Sequence, residues 1–447
     1  QMRIRRELGF NAEHLEVHDV SLGESGVAFY PSDFAVQSRK NLLKEFADGY
    51  ENTPMTPVVY FNVHWLSPSL QDRSPEWFQR GEAGGIIPSS YGAGGYACVN
   101  SPYREYALGT VATLAAYKIG GIFLDGPIFR EEGCYCPSCR ALFREQYGYE
   151  MPSHSTEDRR GRTDLSDFKR RSIADFVRVC REKLREIRPE AILYMNNLQL
   201  LPDKYCSRDN RMTGQYQDML LAEGGFLHGD LRRVPIWKPA ATAMLLETQA
   251  KGKPYCVAIA GRQAPWSRYL LSPAETRIVH AMAVAHGANT WYGVYNDNNT
   301  DARMETVRDI NRFLAANERY YTRTASAAKV ALLWSRSTAN YYQSSADETD
   351  FTDRRTGGEE SLKGDARASF MGMFDALSRS RVVFDILDEQ AVADGSLARY
   401  ELLVLPNVSC MSAEVAAKIR DFVRNGGNLV STFDTSFYDE YGERLAL

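Results

Sequence analysis

The feature that most limits the fold of this chain is an alternation. From residue 14 to about residue 315, short apolar runs of strand length are separated by stretches with helical spacing. The strand candidates are HLEVH (14–18), PVVYFNV (57–63), GIFLD (121–125), AILYMN (191–196), YQDMLLA (216–222), YCVAIA (255–260) and NTWYGV (289–294). Between them, REYALGTVATLAAYKI, LSDFKRRSIADFVRVCREKLREI and PAETRIVHAMAVAHG place apolar residues on one helical face. Strands that alternate with helices build parallel sheets, because each helix carries the chain back to the same end. Seven such units predict a TIM (β/α)8-type barrel that lacks its first strand. Residues 1–11 read as the helix that would follow the missing strand, so the N-terminus, at Gln1, looks cut. An open doubly wound sheet is disfavoured, since no Gly-rich phosphate fingerprint follows an early strand.

A second pattern begins near Ala327. KVALLWS (329–335), VVFDILDE (382–389), YELLVLPN (400–407) and GNLVSTFD (427–434) read as strands, with helices between them. The expected domains are therefore a catalytic barrel over residues 1–326 and a flavodoxin-like α/β domain over residues 327–447, truncated at its C-terminus. Residues 344–365 are polar and Gly-containing and read as a long loop.

Composition narrows the function classes. Apolar residues make up 44%, charged residues 25%, and the net charge is −4, with no long Lys/Arg block, so no nucleic-acid partner is expected. No run of apolar residues is long enough for a membrane helix, so no membrane partner is expected either.

Three of the eight cysteines fall in GCYCPSC (133–139). Cys134, Cys136 and Cys139 can grip one ion, but a closed zinc site needs four ligands. Cys98 lies in the loop before the helix that leads into GIFLD, and Cys134 lies in the loop after that strand. Both loops leave the same end of the barrel, so Cys98 can reach the cluster. Spacing alone leaves a redox pair or unpaired structural thiols open.

Two stretches carry a family resemblance. ACVNSPYREY (97–106) followed by CYCPSCRALFREQYG (134–148) resembles the glycoside hydrolase family 42 β-galactosidases and a related group of α-L-fucosidase-like glycoside hydrolases. Residues 252–293 are similar to the second group. The resemblance implies a structural Zn2+ on Cys98, Cys134, Cys136 and Cys139, a trimerisation-type second domain, and a homo-oligomer, dimer or trimer. Metal-binding thiolates suit a reducing compartment, so a cytoplasmic location is expected.

Glycoside hydrolysis uses two carboxyl groups, and barrels place catalytic groups at the C-terminal ends of strands. Asp125 closes GIFLD and precedes Gly126. The resemblance adds that family 42 places its acid/base glutamate here, and that the fucosidase-like group uses an Asp here as nucleophile. The family 42 nucleophile position has no carboxylate, since its strand runs into VAIAGRQ. Glu223, which closes YQDMLLA, is the expected general acid/base, with Glu131 in reserve. Asp19, Asp297 and Asp301 are weaker strand-end candidates. A retaining pair is expected to stand about 5–5.5 Å apart.

His18, His64, Trp65, Asn196, Asn197, Trp266 and Tyr292 are the candidates for holding the carbohydrate. Trp77, Tyr91, Tyr96 and Trp237 are further aromatic candidates. The leading expectation is a retaining exo-glycosidase that removes a terminal fucose- or galactose-type sugar. The alternatives are a non-catalytic carbohydrate-binding or scaffold barrel, and a family 42-like β-galactosidase. A zinc hydrolase using His18 and His64 is disfavoured by the lack of metal-ligand spacing between the histidines.

Overall fold

The computed structural model describes residues 2–19, 27–32, 40–90, 92–202, 206–227, 235–262, 267–268, 270–294, 303–342, 347–348, 355–356 and 365–446. The chain forms two compact units, Gln1–Asn197 with Lys204–Leu221, and Leu198–Asp203 with Ala222–Leu447. The boundary expected from sequence at 326/327 falls inside the second unit.

The first unit is built on a four-stranded parallel sheet, ordered Ala12–Glu16, Thr56–Asn62, Gly121–Asp125, Ile192–Met195. Its strands obey a two-residue alternation. Val59 and Phe61, with Ile122, Leu124 and Leu193 on neighbouring strands, enter a continuous buried apolar core with the helices Tyr103–Ala115 and Arg159–Ile187. The opposite face of the sheet carries an aromatic layer. Tyr60 pairs in register with Phe123, and Phe123 with Tyr194. The Phe123 ring lies 5.4 Å from Tyr60, 5.3 Å from Tyr194 and 5.1 Å from His14. Two residues further towards the strand ends, Asn62 stands beside Asp125. The alternation thus delivers Asp125 to the polar end of the sheet face that the core does not fill.

In the second unit Tyr255–Ala260 pairs in parallel with Asn289–Gly293. A further four-stranded parallel sheet is ordered Phe384–Leu387, Val330–Leu333, Leu402–Leu405, Asn428–Ser431. The helix Lys238–Ala250 packs Ala241, Met244 and Leu245 against Leu332, Phe370, Phe374 and Ile386. Trp237 stacks on Phe374 at 4.2 Å, so this aromatic serves packing.

Several elements are shorter or shifted relative to the sequence pattern. The strand expected at 216–222 is Leu220–Ala222 only, because Gly214–Tyr216 closes a 3-10 turn. The first strand is Ala12–Glu16, and His18–Asp19 forms a separate short pair with Val27–Ala28. Of the long loop at 344–365, Asp347–Glu348 pairs with Arg355–Thr356 and most of the rest lies outside the described residues. Among the described residues no helix is long and apolar enough to cross a membrane.

Candidate active site and cysteine cluster

Asp125 ends its strand with a half-buried side chain whose two oxygens each take a hydrogen bond. Asn196 Nδ2 donates to Oδ1 at 2.7 Å, and the Tyr60 hydroxyl donates to Oδ2. Strand geometry supplies both donors. Tyr60 lies two residues before Asn62 on the same face, and Asn196 directly follows the next strand. His64 Nδ1 donates to the Asp125 carbonyl at 3.0 Å and lies 3.7 Å from Oδ2. A carbonyl only accepts, so the proton of a neutral His64 sits on Nδ1. Among the described residues no Lys or Arg pairs with Asp125. Its side chain is held by neutral donors on both oxygens.

The backbone after Asp125 is equally tied. Asn196 Oδ1 accepts from Gly126 N at 2.8 Å. Arg208, 4% exposed, reaches the Gly126, Pro127 and Asn196 carbonyls and Asn196 Oδ1. Gly126 is required by this closeness. A Cβ there would lie 2.7 Å from Asn196 Oδ1, 2.9 Å from Met195 Cε and 3.0 Å from Arg208 Cζ. Further along the loop, fully buried Gln79 donates to the Ala97 and Ile128 carbonyls and accepts from Arg130 N.

The loop ends in the cysteine cluster. Cys98, Cys134, Cys136 and Cys139 are all buried, and their sulfurs lie within 4.8 Å of one another. Cys98 Sγ is 3.7 Å from Cys136 Sγ and 3.4 Å from Cys139 Sγ. Four thiolates at about 2.3 Å around one zinc ion would stand roughly 3.8 Å apart, so the set fits a closed tetrahedral site. Backbone amides already point at the sulfurs. Arg80 N and Cys136 N donate to Cys134, and Cys139 N donates to Cys136 at the start of the helix Pro137–Tyr147. Asn100 Nδ2 bridges Cys139 Sγ and Ser172 Oγ. The four cysteines could hold a metal ion; Cys180, Cys206, Cys256 and Cys410 are buried elsewhere.

The other expected site residues fall into groups. His64 and Asn196 join Asp125 directly. Asn197 follows Asn196, its N–H bonded to the Leu221 carbonyl and its side-chain amide to Asn210 Oδ1. Trp65 sits half-buried on a hairpin that pairs it with Tyr96, its indole N–H bonded to the Ala93 carbonyl at 2.8 Å. Trp77 is buried and stacks on Tyr106 of the helix Tyr103–Ala115 at 4.7 Å, so it packs against that helix instead of lining a rim. Glu223 lies half-buried in the second unit, just past Leu220–Ala222. Two glycines follow it because a Cβ at Gly224 would strike Thr242 and one at Gly225 the Ala258 carbonyl. Tyr292 stands 5.5 Å from the His280 ring. The His18 side chain, Tyr91, Trp266, Asp297 and Asp301 lie outside the described residues.

Sequence reasoning missed Tyr60, Gln79 and Arg208. Strand alternation gave a signal for Tyr60. Gln79 and Arg208 lie in loops and gave none.

Residues 328–445 match the family model of the β-galactosidase trimerisation domain. Solved structures resemble nearly the whole chain at low identity. An α-L-fucosidase (isoenzyme 2) from Paenibacillus thiaminolyticus is 20% identical with a TM-score of 0.72, over 98% of this chain and 60% of that one. A GH42 β-galactosidase from G. stearothermophilus is 17% identical with a TM-score of 0.76, over 99% of this chain and 70% of that one. A β-galactosidase from Rahnella sp. R3 is 17% identical with a TM-score of 0.77, over 99% of this chain and 69% of that one. In fold, this chain resembles the family 42 β-galactosidases. The shared architecture is α/β with parallel sheets, of the (β/α)-barrel kind expected from the sequence. The chain spans 60% of the length of the fucosidase. No curated protein matches the sequence.

Proposed function

We propose that the chain is a glycoside hydrolase, a retaining exo-glycosidase that removes a terminal fucose- or galactose-type sugar. The observation that carries this reading is the Asp125 carboxylate, held at a strand end by Asn196 on one oxygen and Tyr60 on the other. Donors on both oxygens fix the orientation of the carboxyl group, which is what a nucleophile needs. In the first step an Asp125 oxygen bonds to the anomeric carbon, the glycosidic C–O bond breaks, and Glu223 gives its proton to the departing oxygen. In the second step water attacks the same carbon, returns a proton to Glu223, and frees Asp125. His64, Trp65, Asn196 and Tyr292, with His18, Asn197 and Trp266, are the residues proposed for the sugar.

Cys98, Cys134, Cys136 and Cys139 would hold a structural Zn2+, and four thiolates leave it no open position for chemistry. Its proposed part is to brace the loop that follows Asp125. Residues 1–326 are read as the barrel and 327–447 as a flavodoxin-like trimerisation-type domain, through which the chain would form a dimer or trimer.

The test is a panel of aryl α- and β-glycosides, fucosides and galactosides included, run on this chain, Asp125→Asn and Glu223→Gln. Activity should fall by about 10³-fold or more in Asp125→Asn, a loss of roughly 4 kcal/mol of transition-state stabilisation. Glu223→Gln should lose most on poor leaving groups and least on acidic phenols, which leave without a proton. Equal activity in the wild type and Asp125→Asn would remove Asp125 from the mechanism.

A further inference from the structure

The Arg208 side chain presents an electrostatic problem. It is 4% exposed, and all its hydrogen bonds go to neutral oxygens: Nε to the Pro127 carbonyl at 3.1 Å, Nη2 to the Gly126 carbonyl at 2.5 Å, and Nη1 to the Asn196 carbonyl and Asn196 Oδ1, both at 3.3 Å. No carboxylate among the described residues pairs with it. A buried charge without a counter-charge costs several kcal/mol, so the surrounding structure must supply one. The neighbouring acid, Asp209, is committed elsewhere, to Arg170 at 3.5 Å and to the amides of Arg211 and Met212.

The network leads instead to Asp125. Among the described residues Asn196 is the only side chain hydrogen-bonded to Arg208, and Asn196 passes a hydrogen bond to Asp125 Oδ1. Arg208 and Gly126 N both donate to Asn196 Oδ1, so the Asn196 amide is oriented: its oxygen is taken and its NH2 must face Asp125. The cationic donor also polarises the amide and strengthens the hydrogen bond that it passes on.

We propose that Arg208 is a positioning residue for Asp125, acting through Asn196 to orient the amide and supply the positive charge that keeps the carboxylate anionic. This rests on the reading of Asp125 as the nucleophile and assigns the group that keeps it in that state. Among the described residues of this unit, the other titratable groups facing Asp125 are Tyr60 and His64, with His14 and Tyr194 in the layer beneath. None of the Arg208 hydrogen bonds goes to Tyr60 or His64, so a shift on changing Arg208 can be assigned.

The experiment compares Arg208→Met, Arg208→Lys and the wild type. Side-chain carboxyl NMR of 13C-labelled aspartate, assigned by the signal lost in Asp125→Asn, reads the Asp125 titration directly. Removing the charge should move the Asp125 midpoint and the acid limb of kcat/KM to higher pH by about one unit, a tenfold change in proton affinity. The loss should fall on kcat, with KM little changed, and added guanidinium should restore part of it. Arg208→Lys, which keeps the charge and loses the fork, should fall between the two and covers the case in which Arg208→Met does not fold. Gln79→Met cuts another tie of the same loop and should lower stability without moving the midpoint. An unchanged Asp125 midpoint in both Arg208 variants would overturn the proposal. A wild type inactive on every glycoside would sink the glycosidase reading alone, because the NMR titration still decides the part of Arg208.

Discussion

Asn196 faces Asp125 in one amide orientation only: its nitrogen donates to Asp125 Oδ1 at 2.7 Å while its oxygen takes the Gly126 N–H at 2.8 Å. One side chain therefore fixes both the carboxylate and the backbone that follows it. The hydroxyl of Tyr60 completes the arrangement from the neighbouring strand. Tyr60→Phe keeps the ring that packs on Phe123 and removes the donor to Oδ2. A hydrogen bond to a charged group is worth about 1.5–3 kcal/mol, so kcat/KM on an aryl glycoside should fall roughly 10- to 100-fold, with thermal unfolding little altered. Undiminished activity would show that Asp125 does not need this donor.

Gly126 offers a complementary test. A methyl group there meets Asn196 Oδ1 at 2.7 Å and Met195 Cε at 2.9 Å, both closer than real contacts allow, and Arg208 Cζ at a tight 3.0 Å. Gly126→Ala should push Asn196 off Asp125 and cost about 1–3 kcal/mol of stability by overpacking. Activity should drop by more than stability does, because the displaced group holds the carboxylate. Chemical denaturation and kinetics on the same preparation separate the two. A variant with reduced stability and intact kcat would place the strain elsewhere.

How much of this was legible in the sequence depended on the distance over which each residue acts. GIFLD and YCVAIA matched their strands because a buried strand is a local pattern. Asp125 and Asn196 stood out because both lie at strand ends, a position that topology makes functional. The four cysteines converged as expected because Cys98 and Cys134 flank the helix and strand that bring them together. Arg208 could not be foreseen. It sits in an ordinary polar loop, and its work is done against carbonyls about eighty residues earlier in the chain, at Gly126 and Pro127. Trp77 looked like a rim aromatic and is a packed one, since nothing in its neighbours signalled the stack on Tyr106.

The cysteine cluster predicts a metal dependence that differs from a catalytic one. Purified chain should carry about one zinc per protomer, because closed four-thiolate sites bind a single ion. Cys98→Ser should lose most of it, read by a colorimetric chelator after unfolding. Chelation should lower thermal stability and loosen the loop from Gly126 to Cys139, read as faster amide exchange there. A chain with no metal and unchanged stability after chelation would remove zinc from the structure.

Acid stability should depend on His14. Its ring is half-buried and packs against Phe123, its Nε2 lies 2.5 Å from the Tyr194 hydroxyl, and desolvation pushes it down to about 3. In the unfolded chain a histidine titrates near 6.5. Between those values the unfolded state binds the extra proton, so the slope of unfolding free energy against pH is positive. Stability should be unaffected by this group above about pH 6.5 and fall on acidification below it, by up to roughly 1.4 kcal/mol per pH unit. His280, buried and held down to about 4, adds to the same trend. His14→Gln removes the titrating ring and keeps a polar partner for Tyr194. It should cost stability at pH 7 and flatten the decline between pH 6 and pH 4, measured by urea unfolding at each pH. An equal slope in the variant and the wild type would assign acid sensitivity to other groups.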